Sequence, residues 1–138
     1  MNILKQKTAI ITGAAQGIGK AIAMRFSKEG AVVVLLDTNK KKLDLTLSEI
    51  GSNAYGFQVD ITNEKDVGKI INNVENSYGV IDILVNNAAS TSKKEKITKI
   101  SLKEWEKVLR VNINGTFIVT KSVLPGMISN GSGIIINI

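Results

Sequence analysis

A chain of 138 residues with 18 Lys and Arg against 12 Asp and Glu carries a formal charge of +6, and it contains neither His nor Cys. Those two zeros exclude a Ser-His-Asp or Cys-His nucleophile, an imidazole or thiolate metal site, and any disulfide. Acid–base chemistry is left to Asp, Glu, Lys, Tyr and hydroxyl groups.

The first apolar run, Thr8–Thr12, is continuous rather than alternating, as a strand buried on both faces of a parallel sheet requires. It leads directly into Thr12-Gly13-Ala14-Ala15-Gln16-Gly17-Ile18-Gly19. A glycine-rich turn from strand to helix lets the backbone approach a pyrophosphate, and the helix start offers free N–H groups and the positive end of its dipole. Gly13 is expected to make the turn, Gly17 to permit close approach, and Gly19 to let the helix pack on the sheet. The P-loop is excluded, because five residues separate Gly13 from Gly19 and Ala21 follows Lys20. The Gly-x-Gly-x-x-Gly spacing is also absent. The order here is Gly-x-x-x-Gly-x-Gly.

A second run, Ala31–Leu36, ends at Asp37, 18 residues after Gly19. An acid there can bind both hydroxyls of the adenosine ribose of NAD, and it repels the 2′-phosphate of NADP. The bland alternative for Asp37 is a helix cap or a solvated turn, and Lys40–Lys42 keep NADP open as the less favoured cofactor. Leu43, Leu45 and Leu47 alternate like a strand, whereas Leu43, Leu47 and Ile50 fit a helix. Helix is chosen, since parallel strands need a crossover. The third run, Ala54–Val59, enters Asp60-Ile61-Thr62. Val67, Ile70, Ile71, Val74 and Tyr78 then make one helical stripe.

The fourth run, Ile81–Val85, precedes Asn86-Asn87-Ala88-Ala89. Ser90–Lys99 reads as a polar loop. Ser101-Leu102-Lys103-Glu104 reads as a capping box, and Trp105, Val108, Leu109 and Asn112 fall on one face behind it. A polar Asn112 on such a face has to find partners or bend the helix. A further helix is expected over Ile113–Met127, with Pro125 disturbing its last turn. The last run is Gly133–Ile138.

This alternation predicts one domain over residues 1–138: a doubly wound α/β parallel sheet of Rossmann type, three layers αβα, strand order 3-2-1-4-5. Apolar runs of about half a dozen residues are too short for a membrane span. The N-terminus carries no secretory signal, so a cytoplasmic location is expected. All cations except Arg25 and Arg110 are Lys. The clusters Lys40–Lys42 and Lys93–Lys107 lack interleaved Arg and aromatic residues, so they read as solvated surface and no nucleic-acid partner is expected.

These motifs, in this order, resemble the short-chain dehydrogenase/reductase family over essentially the whole chain. The resemblance implies an NAD(P)-dependent oxidoreductase that moves hydride between nicotinamide and a small alcohol or ketone, acting as a homo-oligomer. It implies that Thr12, Gly13, Gln16, Gly17, Ile18 and Gly19 form the cofactor turn and that Asp37 takes the ribose. Asp60 and Ile61 would meet the adenine, Asn86 and Asn87 would stabilise the sheet centre and contact the adenosine side, and Ala88 would join them in binding the cofactor. It further implies that Asn112 supports a proton relay, its main-chain carbonyl holding a water. Ala89 stands where the family usually has Gly, which costs about 1 kcal/mol if φ is positive there. The family's catalytic Ser and Tyr-x-x-x-Lys have no counterpart. Tyr55 is followed four residues on by Val59, and Tyr78 by Asp82. The expectation is therefore an incomplete, truncated domain lacking its C-terminal strands and turnover, with an apolar edge at Ile134–Ile138 and a helix face left for later helices or a second subunit. The alternatives are a non-catalytic dinucleotide-binding module or partner subunit, and the same fold holding S-adenosylmethionine.

Overall fold

The computed structural model of the protein describes residues 2–92 and 95–138. Lys93 and Lys94 of the lysine-rich stretch lie outside the described residues. The elements are β1 (Thr8–Thr12), α1 (Gly17–Lys28), β2 (Val32–Asp37), α2 (Lys40–Ile50), β3 (Ala54–Gln58), α3 (Glu64–Tyr78) and β4 (Ile83–Asn86), followed by a single 3-10 turn (Ile97–Lys99), α4 (Leu102–Leu109), a π-helical turn (Arg110–Gly115), α5 (Thr116–Asn130) and β5 (Ile134–Asn137). The five strands form one parallel sheet in the order β3-β2-β1-β4-β5. Strand bounds move by one or two residues from those expected. Ala31, Val59 and Ile81 are buried but stand outside the strands.

Continuous apolar strands exist here because both faces of the sheet are covered. Ile10, Val34, Leu36 and Leu84 point to the face packed by Val67, Ile71 and Val74 of α3 and by Val119, Val123 and Met127 of α5. Their neighbours Ala9, Ile11, Val33, Leu35, Ile83 and Val85 point to the other face, with Ala23 of α1 and Leu43 of α2. Period-2 alternation within each strand thus feeds two cores, one above and one below the sheet.

The Leu43–Leu47 segment is helical. Leu43 is fully buried, Leu47 and Ile50 pack against the same core, and Leu45 is 57% exposed. Side chains cap the next helices: Asn39 Oδ1 accepts from Lys42 N–H at 3.0 Å, Asn63 Oδ1 from Asp66 N–H at 3.2 Å, and Ser101 Oγ from Glu104 N–H at 3.2 Å.

Two expectations change. The helix expected from Ile113 starts as an α-helix only at Thr116, because residues Arg110–Gly115 take a wider π turn that joins α4 to α5. Pro125 does not disturb the end of α5, which runs five residues further to Asn130. Pro125 stands on the exposed side, while Val123 and Met127 anchor the helix in the core on either side of it. Also, the stripe of α4 is solvent-facing: Trp105 is 50% exposed, and no residue of α4 is buried. Ile113, Phe117 and Ile128 extend this exposed apolar line along α5. Among the described residues no helix is long and apolar enough to cross a membrane.

The helical reading of α2 has a direct measure. Leu43→Ala is expected to lose about 2–5 kcal/mol of stability and Leu45→Ala less than about 0.5 kcal/mol. Urea unfolding followed by circular dichroism reads the difference.

Candidate functional site

Crossovers leave β1 and β4 in opposite directions, so their carboxyl ends open a crevice, the usual ligand position of such sheets. A cleft of about 580 Å³ lies there, lined by Gly13, Gln16, Gly17, Ile18, Asp37, Asp60, Ile61 and Ala88, with Leu36, Thr38, Asn39, Val59, Asn87, Ala89, Ser90 and Val111. Eight of the twelve residues selected from the sequence thus share one wall. Thr12, Gly19, Asn86 and Asn112 stand behind it.

Thr12 is buried beneath the turn, where its hydroxyl joins β1 to β4. It accepts from the N–H groups of Asn87 at 3.0 Å and Ala88 at 2.9 Å, and it donates to the Val85 carbonyl at 3.4 Å. Asn87 returns the connection: its Nδ2 donates to the Thr12 carbonyl at 3.0 Å and to the Gly13 carbonyl at 3.1 Å. Gly13 has φ +63°, and a Cβ on it would stand 2.8 Å from Ala88 Cα. A Cβ on Gly19 would stand 2.5 Å from the Gly13 oxygen and 2.6 Å from Asn87 Nδ2. Only glycine fits either place. Gly17 differs: its φ is +58°, yet a Cβ would meet nothing within 4 Å. The space above it is the cleft itself.

Asp37 is fixed by backbone donors. Its Oδ2 accepts from Ala15 N–H at 3.0 Å and its Oδ1 from Asn39 N–H at 2.9 Å. Thr46 of α2 donates to the Ala15 carbonyl at 3.0 Å, so both polar groups of that residue are held by side chains. The turn's other early donors point inward as well: Gly13 and Ala14 donate to the Leu36 carbonyl at 2.8 and 3.4 Å. The start of α1 is different. Gln16 stands at its N-cap with no side-chain cap bond. The first-turn N–H groups of Gly17 and Ile18 have no intrahelical acceptor, and both residues line the cleft.

Asp60 caps no helix, since Asn63 has that role. Its Oδ1 accepts from Thr62 N–H at 2.9 Å and from Thr62 Oγ1 at 2.8 Å. Asn86 is 5% exposed, and its Nδ2 donates to Thr120 Oγ1 and Asn137 Oδ1, each at 3.0 Å. That ties β4 to α5 and β5. Asn112 finds its partners across the loop: Oδ1 accepts from Ser90 N–H at 2.7 Å and Nδ2 donates to the Ser90 carbonyl at 3.1 Å. Its own carbonyl accepts from Thr116 Oγ1 at 2.9 Å. Ala89 carries no strain, because the positive-φ non-glycine among the described residues is Gln6.

Two contributors, Thr46 and Ser90, were not singled out from the sequence, and the particular contacts of Asn87 were not visible there. Asn87 stood inside a quoted motif, and its two carbonyl contacts depend on the β1 turn lying beside β4. Thr46 is a lone hydroxyl on a helix and gives no spacing signal. Ser90 contributes its peptide group, which no sequence displays. The two tyrosines lie at the other end of the sheet. Their rings stack with centroids 4.5 Å apart, and partial burial with the Tyr55 hydrogen bond pushes the Tyr78 hydroxyl above the usual tyrosine range.

A parallel sheet turned through glycines into an uncapped helix, with an acid ending its second strand, defines a Rossmann-type dinucleotide-binding protein. The sequence pattern of the short chain dehydrogenases matches residues 7–138, and the chain belongs to that family. It is 37% identical to an uncharacterized oxidoreductase of Staphylococcus aureus (strain USA300), over 100% of this chain and 60% of that protein. A 3-ketoacyl-(acyl-carrier-protein) reductase from Brucella melitensis, solved with NADH, superposes with a TM-score of 0.93 at 34% identity, covering 97% of this chain and 57% of the other. A metagenomic short-chain oxidoreductase solved with NADP superposes with a TM-score of 0.90 at 31% identity, covering 97% and 62%. The chain spans about 60% of the length of the curated relative it matches.

The two helix glycines separate close packing from open approach. Gly17→Ala is expected to cost about 1–2 kcal/mol from φ alone, and Gly19→Ala to cost more, because the Gly13 backbone has to move. Thermal unfolding of both variants ranks them.

Proposed function

We propose that the cleft holds the adenosine and pyrophosphate of a nicotinamide dinucleotide, NAD in preference to NADP. We propose further that the chain is the cofactor-binding part of an oxidoreductase acting on a small alcohol or ketone. The observation that carries this is the uncapped start of α1 facing the fixed carboxylate of Asp37. In that arrangement Gly17 and Ile18 N–H groups receive the pyrophosphate, and the remaining acceptor capacity of Asp37 receives the ribose hydroxyls. Asp60 and Ile61 border the adenine. Gly13 and Gly19 shape the turn, Gln16 flanks it, and Thr12 and Asn86 support it from behind. Ala88 closes the cofactor wall beside Gly13. When bound, the cofactor supplies hydride transfer; the protein supplies orientation and proton handling. The NADH and NADP complexes of the two neighbours support the cofactor class.

Asn112 is proposed to support proton transfer, since its side chain fixes the peptide of Ser90, which lines the cleft. The 138 residues contain no Tyr-x-x-x-Lys. Tyr55 stands second in β3 and Tyr78 ends α3, both remote from the carboxyl ends of the strands. The alternative reading is a dinucleotide-binding module or partner subunit without chemistry of its own. Either way the expected outcome for this chain is NADH binding without turnover. Calorimetric titration is expected to show saturable NADH binding that weakens at least tenfold in Asp37→Ala. Absence of saturation, or dehydrogenase turnover by the pure chain, contradicts the reading.

The exposed line of Leu102, Trp105, Leu109, Ile113, Phe117 and Ile128 is proposed as the surface on which copies of the protein associate, in keeping with a homo-oligomer. Light scattering is expected to give a mass above the monomer's 14.9 kDa. Phe117→Asp is expected to shift that mass toward the monomer.

A further inference from the structure

Three residues on one face of α2 reach over to the glycine turn and the start of α1. Lys42, Thr46 and Glu49 stand at i, i+4 and i+7, so they share a stripe. Lys42 Nζ donates to Gln16 Oε1, Thr46 Oγ1 donates to the Ala15 carbonyl at 3.0 Å, and Glu49 pairs with Lys20 at 2.8 Å. The two outer contacts are exposed to solvent, where such pairs contribute little. Thr46 differs. It is 1% exposed, and its bond to Ala15 is buried. The stripe therefore bears on the turn through one hydroxyl, and Thr46 itself stands outside the lining of the cleft.

The peptide it holds precedes the free donors. Asp37 takes the Ala15 N–H on one side, and Thr46 takes the Ala15 carbonyl on the other. One planar unit joins that carbonyl to the Gln16 N–H, so fixing the oxygen fixes the direction of the N–H. Gly17 and Ile18 follow, with first-turn donors that no intrahelical acceptor takes. Gly17, at φ +58° with open space around it, supplies freedom rather than restraint. Restraint has to come from the residue pair just before it. We infer that Thr46 is a positioning residue for the site: it sets the aim of the donors at Gln16–Ile18 without touching a ligand, and the affinity of the cleft for a pyrophosphate depends on it. The inference rests on the dinucleotide reading above and adds to it a residue from the middle of α2.

The test is calorimetric titration of the full chain with NADH, paired with thermal unfolding, on the parent, Thr46→Val, Thr46→Ser and Thr8→Val. Thr8 is the matched control. It is 3% exposed, and its hydroxyl donates to the Tyr78 carbonyl at 3.3 Å, at the opposite end of the sheet. Thr46→Val is expected to weaken NADH about tenfold, and Thr46→Ser, which keeps the hydroxyl, less than about threefold. Thr8→Val is expected to lower the unfolding temperature and to change NADH affinity less than about twofold. Should Thr46→Val not fold, Thr46→Ala carries the same comparison; it leaves room for a water at the Ala15 carbonyl, and the expected loss is about threefold or more. Unchanged NADH affinity in Thr46→Val or its replacement, an equal loss in Thr8→Val, or a loss that Thr46→Ser does not spare overturns this inference and leaves the cofactor reading standing. A parent that does not bind NADH overturns both.

Discussion

The cleft depends on one buried hydroxyl. Thr12 sits where β1 and β4 lie side by side but lead to crossovers of opposite direction. Its oxygen takes two backbone N–H groups from the chain leaving β4. Each of those donors, if left buried without a partner, would cost about 1–3 kcal/mol. The Asn87 amide secures the same junction from the other side, through the carbonyls of Thr12 and Gly13. The need for glycine at position 19 follows from this: with the Gly13 carbonyl and the Asn87 amide drawn together, α1 has room for a hydrogen and nothing larger.

The distribution of donors then decides what the site can bind. Gly13, Ala14 and Ala15 direct their N–H groups into the protein, to Leu36 and Asp37. The starts of α2, α3 and α4 are closed by Asn39, Asn63 and Ser101. Gln16 supplies no such cap to α1, so the turn keeps its free donors at the place where φ-positive Gly17 leaves open space. Asp37 has a double part. It stabilises the turn by accepting from Ala15 and Asn39, and the carboxylate so fixed retains acceptor sites toward the cleft, because its two oxygens offer about four lone-pair positions. Rigid attachment matters here: a carboxylate held from the backbone loses little freedom when a hydrogen-bond donor arrives from the cleft.

The sheet was legible because burial on both faces leaves continuous apolar runs. The order of strands followed from handedness and the reversal after β3. The glycine turn was legible because Gly13, Gly17 and Gly19 record backbone geometry directly. Asp37 showed itself by its place after a strand. Contacts that depend on distant elements meeting were not visible. Thr46 reaches the Ala15 carbonyl only because α2 folds back over the turn, and Lys42 meets Gln16 for the same reason. The periodicity of Trp105 and Leu109 revealed a stripe but not what covers it. The π turn was hidden, because Val111, Asn112 and Ile113 carry no residue that forbids an ordinary α-helix.

That turn has a physical rationale in Asn112. A polar amide on an otherwise apolar face has to be satisfied. The bidentate pair with the Ser90 peptide satisfies it, provided the helix widens locally to present the side chain to the loop. Wide turns of this kind are often found at functional positions. The Asn112 carbonyl accepts from Thr116 Oγ1 within the same segment. Ser90, so held, lines the cleft. A single residue therefore ties the loop after β4 to the turn that opens the long helix.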